Sequence, residues 1–295
     1  MNDADYLYLK RRVLALTSID IDAYKSQQMR RRLGTFLARS PGTNIVSYCR
    51  MLENDEDMLK RLQDFLTINV SEFFRDLPQF ERLKTSVVPE LLRHRASLNV
   101  WSAGCSCGAE SYSLAMLLEE LCPNRPHRIL GTDIDEASLV RAQAGGPYGA
   151  GELRNVPRRF LLAYFAPSAG GQCVPEGLRR KVEFRRHNLL CDEFEEGFDL
   201  IACRNVTIYF TEAAKAGLNR RFHSALREGG VLLVGATEIM LDAAEIGFTR
   251  TGPGFYRKLS GAAAAGIPRV SAGFSRRAVG WPAAISQGVL NQRGR

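Results

Sequence analysis

Two acids and two glycines form the pattern in this sequence that most clearly indicates chemistry. Gly104 and Gly108 lie in VWSAGCSCGAESYS (residues 100–113), between an apolar run and a helical one, and Glu110 follows them. Asp133 lies 25 residues beyond Gly108, in GTDID. In dinucleotide-binding folds, an acid about 20 residues beyond a glycine-rich turn binds the ribose hydroxyls. The spacing therefore predicts a nucleoside site.

The same stretch limits the kind of nucleoside expected. Its glycines do not form GxGxxG, and no Lys followed by Ser or Thr comes after them, which excludes a P-loop. Glu110 opens the next helix, where a fixed carboxylate repels a pyrophosphate and attracts a cation. S-adenosylmethionine, a cationic nucleoside, fits this better. A Glu in a first helical turn also occurs simply because it complements the helix dipole.

The cysteines of this stretch carry less information. Cys105 and Cys107 form C-x-C, with no nearby His and no second pair at a zinc spacing, so we interpret them as small turn residues and expect no metal. The chain has seven cysteines, an odd number with irregular spacing, which favours reduced thiols and a cytoplasmic location. No apolar run approaches the ~18 residues of a membrane helix, and the N-terminus does not resemble a signal peptide.

Strand-like and helix-like segments alternate from about residue 98 onward. The predicted strands are LNVWS (98–102), RILGTD (128–133), FDLIACRN (198–205) and VLLVGATE (231–238), and the predicted helices are 110–121, 135–145 and 211–230. This alternation predicts a parallel sheet covered by helices on both faces. Ligands bind beyond the carboxyl ends of such strands, where the glycine-rich loop and Asp133 would lie. The late stretch GFTRTGPGFYRKL predicts a hairpin that ends in an antiparallel strand.

The N-terminal part has a different pattern. Residues 1–66 are predicted to be helical, because apolar residues recur with helical spacing in YKSQQMRRRLGTFLAR. The same helix carries the consecutive basic residues Arg30, Arg31 and Arg32. They form either a solvated helix face or a platform for an acidic partner.

The remaining boundaries follow from composition and charge. Residues 67–259 are predicted to form the α/β domain, with a small β insert at about 159–186 where Gly and Pro separate short strand-like runs. Residues 260–295 hold five arginines and no acid and are expected to be a mobile basic tail. The net charge of +8 resides mainly in that tail and in residues 1–65, so the folded body is near neutral and a nucleic-acid partner is not expected.

Five stretches, in order, resemble the CheR-type chemotaxis receptor methyltransferases. They are INVSEFFRDLPQF (68–80), WSAGCSCGAESYS (101–113), GTDID (131–135), HNLL (187–190) and CRNVTIYF (203–210). The usual family forms are close to TNxTxFFR, WSAgCSTGEEPYS, TDID, NLL and CRNVLIYF. The chain departs from them at Ile68, Ser71, Ala109, Ser111 and Thr207, and it has VGATE where the family has a GHSE-like strand end.

The resemblance implies a Rossmann-like S-adenosylmethionine-dependent methyltransferase domain with an inserted β subdomain, preceded by an all-α domain. It implies methyl transfer to glutamate side chains in the cytoplasmic domain of methyl-accepting chemoreceptors. The products would be glutamyl methyl esters and S-adenosylhomocysteine.

The resemblance also implies site residues. The expected cofactor contacts are Asn69, Ser71, Arg75, Glu110, Asp133, Asn188, Leu189, Arg204 and Asn205. Arg75 and Tyr209 are expected to face the transferred methyl group and the acceptor carboxylate. Arg30, Arg31 and Arg32 would bind the acidic receptor.

Two other functions remain open from the sequence. The departures from the family motifs are compatible with a non-catalytic regulator that binds S-adenosylmethionine. The net charge of +8 is the argument for a nucleic-acid methyltransferase, and the near-neutral body is the argument against it. A monomer is expected.

Overall fold

The computed structural model describes residues 1–42, 44–67 and 70–260. The tail predicted at 260–295 lies, beyond its first residue, outside the described residues. Among the residues described, no helix is both long enough and apolar enough to span a membrane.

Four helices form the N-terminal part: α1 (Asp3–Thr17), α2 (Ser26–Leu37), α3 (Ile45–Asn54) and α4 (Glu56–Leu66). Side chains that accept first-turn N–H groups fix where helices begin, as Asn2 does for α1 and Asp55 for α4. The apolar faces of the helices meet in one core that contains Leu9, Leu33 and Leu62, each 0% exposed. The helical pattern predicted for residues 1–66 is thus present.

Helices α5 (Leu77–Arg82) and α6 (Val88–Leu92) lead into the sheet and are joined by a π-helical turn over Leu83–Val87. The remaining helices are α7 (Ala109–Leu121), α8 (Glu136–Ala144), α9 (Ala150–Leu153), α10 (Arg158–Tyr164), α11 (Glu176–Arg179), α12 (Glu212–Ala225) and α13 (Ala243–Ile246). The strands are β1 (Asn99–Ala103), β2 (Arg128–Asp133), β3 (Ala166–Ser168), β4 (Gly171–Cys173), β5 (Val182–Arg186), β6 (Phe198–Cys203), β7 (Leu226–Val234), β8 (Phe248–Gly252) and β9 (Phe255–Lys258).

Seven of the described strands form one sheet in the order β5-β2-β1-β6-β7-β9-β8. Strands β5, β2, β1, β6 and β7 are parallel, whereas β9 runs antiparallel to β7 and to β8. The chain moves outward from β1 through β2 to β5 and then returns to the other side of β1. The carboxyl ends of β1 and β6 therefore border the switch point, where open α/β sheets bind ligands.

Side chains alternate between the two faces of the sheet, as the strand period of two requires. Val100 and Leu200 belong to one core cluster, and their neighbours Trp101 and Ile201 belong to the other. Residues of α7 cover the first face, and residues of α12 cover the second. The predicted fold class, an α/β methyltransferase-type domain preceded by an all-α one, is confirmed.

The β insert predicted at 159–186 extends too far at its carboxyl end, because it includes β5. Strands β3 and β4 do form a separate antiparallel hairpin. Strand β5, however, pairs in parallel with β2 and is the edge of the main sheet. Val182 is buried and Phe184 partly buried, whereas the other residues of the strand are exposed, so its sequence resembles that of a hairpin strand with one covered face.

Strand β7 also begins earlier than predicted. The sequence placed a helix up to Gly230, but α12 ends at Ala225 and the strand runs from Leu226 to Val234. Pairing with β6 and β9 outweighs the low strand propensity of the two glycines within it.

Candidate functional site

A cleft opens at the carboxyl ends of the parallel strands, beside the switch point. Its volume is about 1020 Å³ with the solvent at its mouth included, which accommodates a nucleoside ligand. Its walls contain all predicted cofactor-binding and catalytic residues that the structure describes: Ser71, Arg75, Glu110, Asp133, Asn188, Leu189, Arg204, Asn205 and Tyr209. The remaining one, Asn69, lies outside the described residues.

The loop after β1 forms the floor of the cleft. The N–H groups of Gly104 and Cys105 both donate to the carbonyl oxygen of Thr132, at 2.8 and 2.9 Å, which ties this loop to β2. Gly104 has a φ of +82°, and a Cβ there would collide with Cγ2 of Val206. Glycine is therefore required both by the backbone conformation and by the close approach of the loop after β6.

Asp133 ends β2 and lies beside that loop. Its carboxylate accepts the N–H of Ser106 at 2.7 Å and the N–H of Asp135 at 3.0 Å. Burial raises the pKa of Asp133, and the two backbone donors oppose this rise. The carboxylate is thus held in a fixed orientation at the cleft wall, as an acceptor for hydroxyl groups should be.

Glu110 lies in the first turn of α7, on the other side of the same loop. Ser102 donates its hydroxyl to one carboxylate oxygen at 2.8 Å, and Arg204 donates to the other at 3.1 Å. The Glu110 side chain is 14% exposed, so it reaches the cleft without being freely solvated. A carboxylate in this position can bind the ammonium group of a ligand.

Arg204, at the end of β6, is the centre of a buried polar network. Its Nε donates to Gln79 at 2.8 Å, and its Nη2 donates to the carbonyl oxygen of Arg75 at 2.6 Å and to Asp76 at 2.7 Å. Together with the bond to Glu110, every guanidinium nitrogen has a protein partner, and the side chain is 2% exposed. Arg204 lines the cleft and orients Glu110, and its contact with a cofactor stays a prediction.

Asn205 follows directly and has a left-handed backbone with φ +60°. Its backbone N–H donates to the carboxylate of Glu238 at 2.6 Å. Its side-chain Oδ1 is buried and, among the described residues, accepts no hydrogen bond. A buried acceptor without a partner costs about 1–3 kcal/mol, so a donor on a ligand in the cleft would stabilise this arrangement.

Asn188 and Leu189 lie after β5, where the N-terminal part meets the sheet. The Asn188 amide donates to the carbonyl oxygen of Ser18 at 2.9 Å and accepts the N–H of Leu190 at 3.0 Å. Its polar atoms therefore join the two parts of the protein, although the residue lines the cleft. Leu189 supplies an apolar wall and is 8% exposed.

The two predicted catalytic residues both line the cleft. Arg75 is half-buried and donates to the carbonyl oxygen of Val70 at 3.0 Å. Tyr209 lies in a short 3-10 turn after β6, and its carbonyl oxygen accepts the N–H of Lys25 at 2.9 Å. Its ring lines both the cleft and a second groove on the N-terminal part.

Tyr24 is a cleft residue that the sequence did not single out. It lies between the cleft and the second groove and packs edge-on against Phe210 at 5.1 Å between ring centres. Burial, with a smaller contribution from Asp133, raises its pKa to about 12. Tyr24 lies two residues before α2, and backbone pairing of its segment with residues 209–211, after β6, brings it to the site.

The second groove runs along α2 and is basic. It is lined by Tyr24, Lys25, Gln28, Met29, Arg31, Arg32, Thr35, Phe65 and Tyr209. Arg31 is exposed, and Arg32 lies over the Phe65 ring and donates to its carbonyl oxygen at 2.6 Å. Arg30 points elsewhere, because it pairs with Asp3 at 2.7 Å and lies over Tyr6. The structure therefore separates the three predicted arginines.

The two loop cysteines are buried thiols. Cys105 is 1% and Cys107 is 4% exposed, and burial raises the pKa of each. All seven cysteines lie within the described residues, and each is a free thiol. Within the described ranges, no grouping of three or more His, Cys, Asp or Glu could hold a metal ion.

Comparison with known families assigns the two parts separately. Residues 4–67 match the all-alpha domain of CheR methyltransferases, and residues 69–251 match their SAM binding domain. The chain belongs to the CheR methyltransferase family. Its SAM binding domain identifies S-adenosylmethionine as the cofactor.

Curated members of the CheR family are similar over most of the chain. A chemotaxis protein methyltransferase from Listeria monocytogenes is 37% identical over 87% of this chain and 98% of that protein. One from Listeria innocua is 39% identical with the same coverage. Among solved structures, a TehB-like SAM-dependent methyltransferase from Corynebacterium glutamicum is 16% identical, covers 70% of this chain and 96% of that one, and has a TM-score of 0.37.

The cleft fits the cofactor of the CheR family. Asp133 and Glu110 both line the cleft, and their carboxylates have the chemistry needed to bind ribose hydroxyls and an ammonium group. Asn205 offers a buried oxygen that lacks a donor among the described residues. Gly104 lets the loop after β6 approach the loop after β1, so that both loops border the cleft.

Proposed function

We propose that the protein transfers a methyl group from S-adenosylmethionine to glutamate side chains of chemoreceptor cytoplasmic domains. The products are glutamyl methyl esters and S-adenosylhomocysteine. The observation that carries this proposal is that Tyr209 lines both the cofactor cleft and the basic groove along α2. A substrate bound in the groove thus reaches the place where the two cavities meet.

The groove indicates the chemistry of the acceptor. Its charged lining residues are Lys25, Arg31 and Arg32, and none of the described residues that line it is acidic. An acidic segment is therefore attracted, and a glutamate-rich helix of a receptor has the required charge. Phe65, which is half-buried, adds an apolar surface on which one face of such a helix can pack.

The reaction requires alignment more than proton transfer. A glutamate with an ordinary pKa of about 4.3 is already ionised at neutral pH and needs no general base. When bound, S-adenosylmethionine supplies an electrophilic methyl group on a positively charged sulfur. The protein must hold the acceptor carboxylate in line with it, and alignment of this kind accounts for large rate effects.

Arg75 and Tyr209 are the groups that can orient the carboxylate. The Arg75 guanidinium can hold a carboxylate oxygen by a charge-assisted hydrogen bond. Among the described residues, its side chain donates only to the carbonyl oxygen of Val70. Tyr209 lines the same cleft, and its hydroxyl can donate to the same carboxylate. Too strong a pairing would reduce the nucleophilicity of the carboxylate, so their role is orientation.

The test is incubation with labelled S-adenosylmethionine and a purified chemoreceptor cytoplasmic fragment. We expect label on the receptor that base releases as methanol, because methyl esters are base-labile. Cofactor binding without any receptor label would favour a regulatory protein, and base-stable label would indicate another acceptor group. A Tyr209→Phe variant should transfer label more slowly while binding S-adenosylhomocysteine as the wild type does.

A further inference from the structure

One carboxylate joins the turn after β7 to the loop after β6. Glu238 lies in VGATE, and its Oε1 accepts the N–H of Asn205 at 2.6 Å and the N–H of Gly235 at 3.1 Å. Its Oε2 accepts the hydroxyl hydrogen of Thr207. Both oxygens are therefore used, and the carboxylate fixes the loop at two points.

The loop that Glu238 holds contains a residue with an unfavourable backbone conformation. Asn205 has a φ of +60°, a left-handed conformation that non-glycine residues adopt at a cost, although Asn tolerates it better than most. A short, charge-assisted hydrogen bond to its N–H stabilises that conformation. Since the backbone angle sets where the side chain points, Glu238 also determines where the Asn205 amide lies.

Asn205 contributes to the wall of the cofactor cleft. The residue lines the cleft, and its buried Oδ1 has no donor among the described residues. Gly235 allows Glu238 to come this close, because a Cβ there would lie 2.5 Å from Oε1.

We infer that Glu238 is a positioning residue for cofactor binding, and that Thr207 positions Glu238 in turn. The inference extends the proposed function, because it rests on Asn205 contacting the cofactor, but it does not depend on which acceptor is methylated. Thr207 stands where the family motif has an apolar residue, so this second bond to Glu238 belongs to the departures noted in the sequence.

The first experiment measures binding of S-adenosylhomocysteine by calorimetry without any receptor. Glu238→Ala should raise the Kd about tenfold, the effect of losing a charge-assisted hydrogen bond. Glu238→Gln should recover most of the affinity, because its amide oxygen still accepts the N–H of Asn205. The Kd of Thr207→Val should lie between the values for Glu238→Ala and Glu238→Gln. Glu245→Ala, an exposed carboxylate on α13, is the control and should bind as the wild type does.

The second experiment separates positioning from a general loss of structure. If Glu238 acts through Asn205, the Glu238→Ala/Asn205→Ala double variant should bind no more weakly than Asn205→Ala alone. In turnover assays Glu238→Ala should raise the KM for S-adenosylmethionine and leave kcat within about twofold. An unchanged Kd in Glu238→Ala, or additive losses in the double variant, would overturn the inference. Absence of receptor methylation would bear only on the proposed function.

Discussion

The guanidinium of Arg204 lies 3.1 Å from the carboxylate of Glu110, across the switch point of the sheet. Arg204 directly follows β6 and Glu110 lies in the first turn of α7, so this ion pair joins two segments that are far apart in sequence. It fixes the orientation of a carboxylate that lines the cleft, and the Arg204 side chain is only 2% exposed.

Loss of the Arg204 cation should destabilise the protein strongly. In Arg204→Ala, the carboxylates of Glu110 and Asp76 lose their cationic partner. Breaking a buried ion pair costs about 3–5 kcal/mol. Denaturant unfolding measures this, and the midpoint should fall accordingly. Arg250→Ala, an exposed arginine on β8, is the control and should change the unfolding free energy by no more than about 0.5 kcal/mol. Equal, small losses in both variants would contradict the network described for Arg204.

Two glycines should respond to alanine in opposite directions. Gly104→Ala places a Cβ on a left-handed residue and against Val206, so we expect lower stability by about 1–3 kcal/mol and weaker cofactor binding. Gly217→Ala, within α12 with nothing in the way of a Cβ, should raise stability by about 0.5–1 kcal/mol. Thermal unfolding distinguishes the two. A tolerated Gly104→Ala variant with unchanged cofactor affinity would rule out a close approach at this loop.

The basic groove should determine the affinity for the receptor and not for the cofactor. Arg31→Glu reverses an exposed charge in the groove, and we expect the KM for the receptor fragment to rise about tenfold at low salt and less at high salt. The Kd for S-adenosylhomocysteine should stay the same. Arg39→Glu, an exposed arginine outside the groove, controls for net charge. Identical effects of the two substitutions would show that the groove is not the docking site.

Acid should destabilise the protein partly through His187. Burial lowers the pKa of His187 below its ordinary value of 6.5, so the unfolded chain takes up a proton before the folded one does. Its contribution to stability is therefore complete above 6.5 and declines as the pH falls toward the lowered pKa. Thermal unfolding against pH should show a shallower decline for His187→Gln than for the wild type. The exposed His94→Gln variant should retain the wild-type profile.

The sequence predicted elements better than it predicted the partners of their side chains. Strand–helix alternation placed Gly104 and Asp133 at one edge of a sheet, and both lie there. It could not show that the Asn188 amide bonds to Ser18, or that Arg204 is enclosed by Gln79 and Glu110. Those bonds join residues far apart in sequence, and local periodicity carries no information about them.

Two further residues have roles that local sequence patterns could not predict. Tyr24 reaches the cleft only because Ala23 and Lys25 form backbone hydrogen bonds with Thr211 and Tyr209. Glu238 was recognised as part of a strand end, but its role depends on a turn that folds back onto the loop after β6. Neither role follows from the spacing of residues along the chain.

Calorimetric titration with S-adenosylhomocysteine, on the wild type and on Asp133→Ala, tests the central claim most directly. The wild type should bind one equivalent. Asp133→Ala should bind at least about tenfold more weakly, because it lacks the acceptor for the ribose hydroxyls. Absence of binding by the wild type, or equal affinity in the variant, would contradict the assignment of this cleft as the cofactor site.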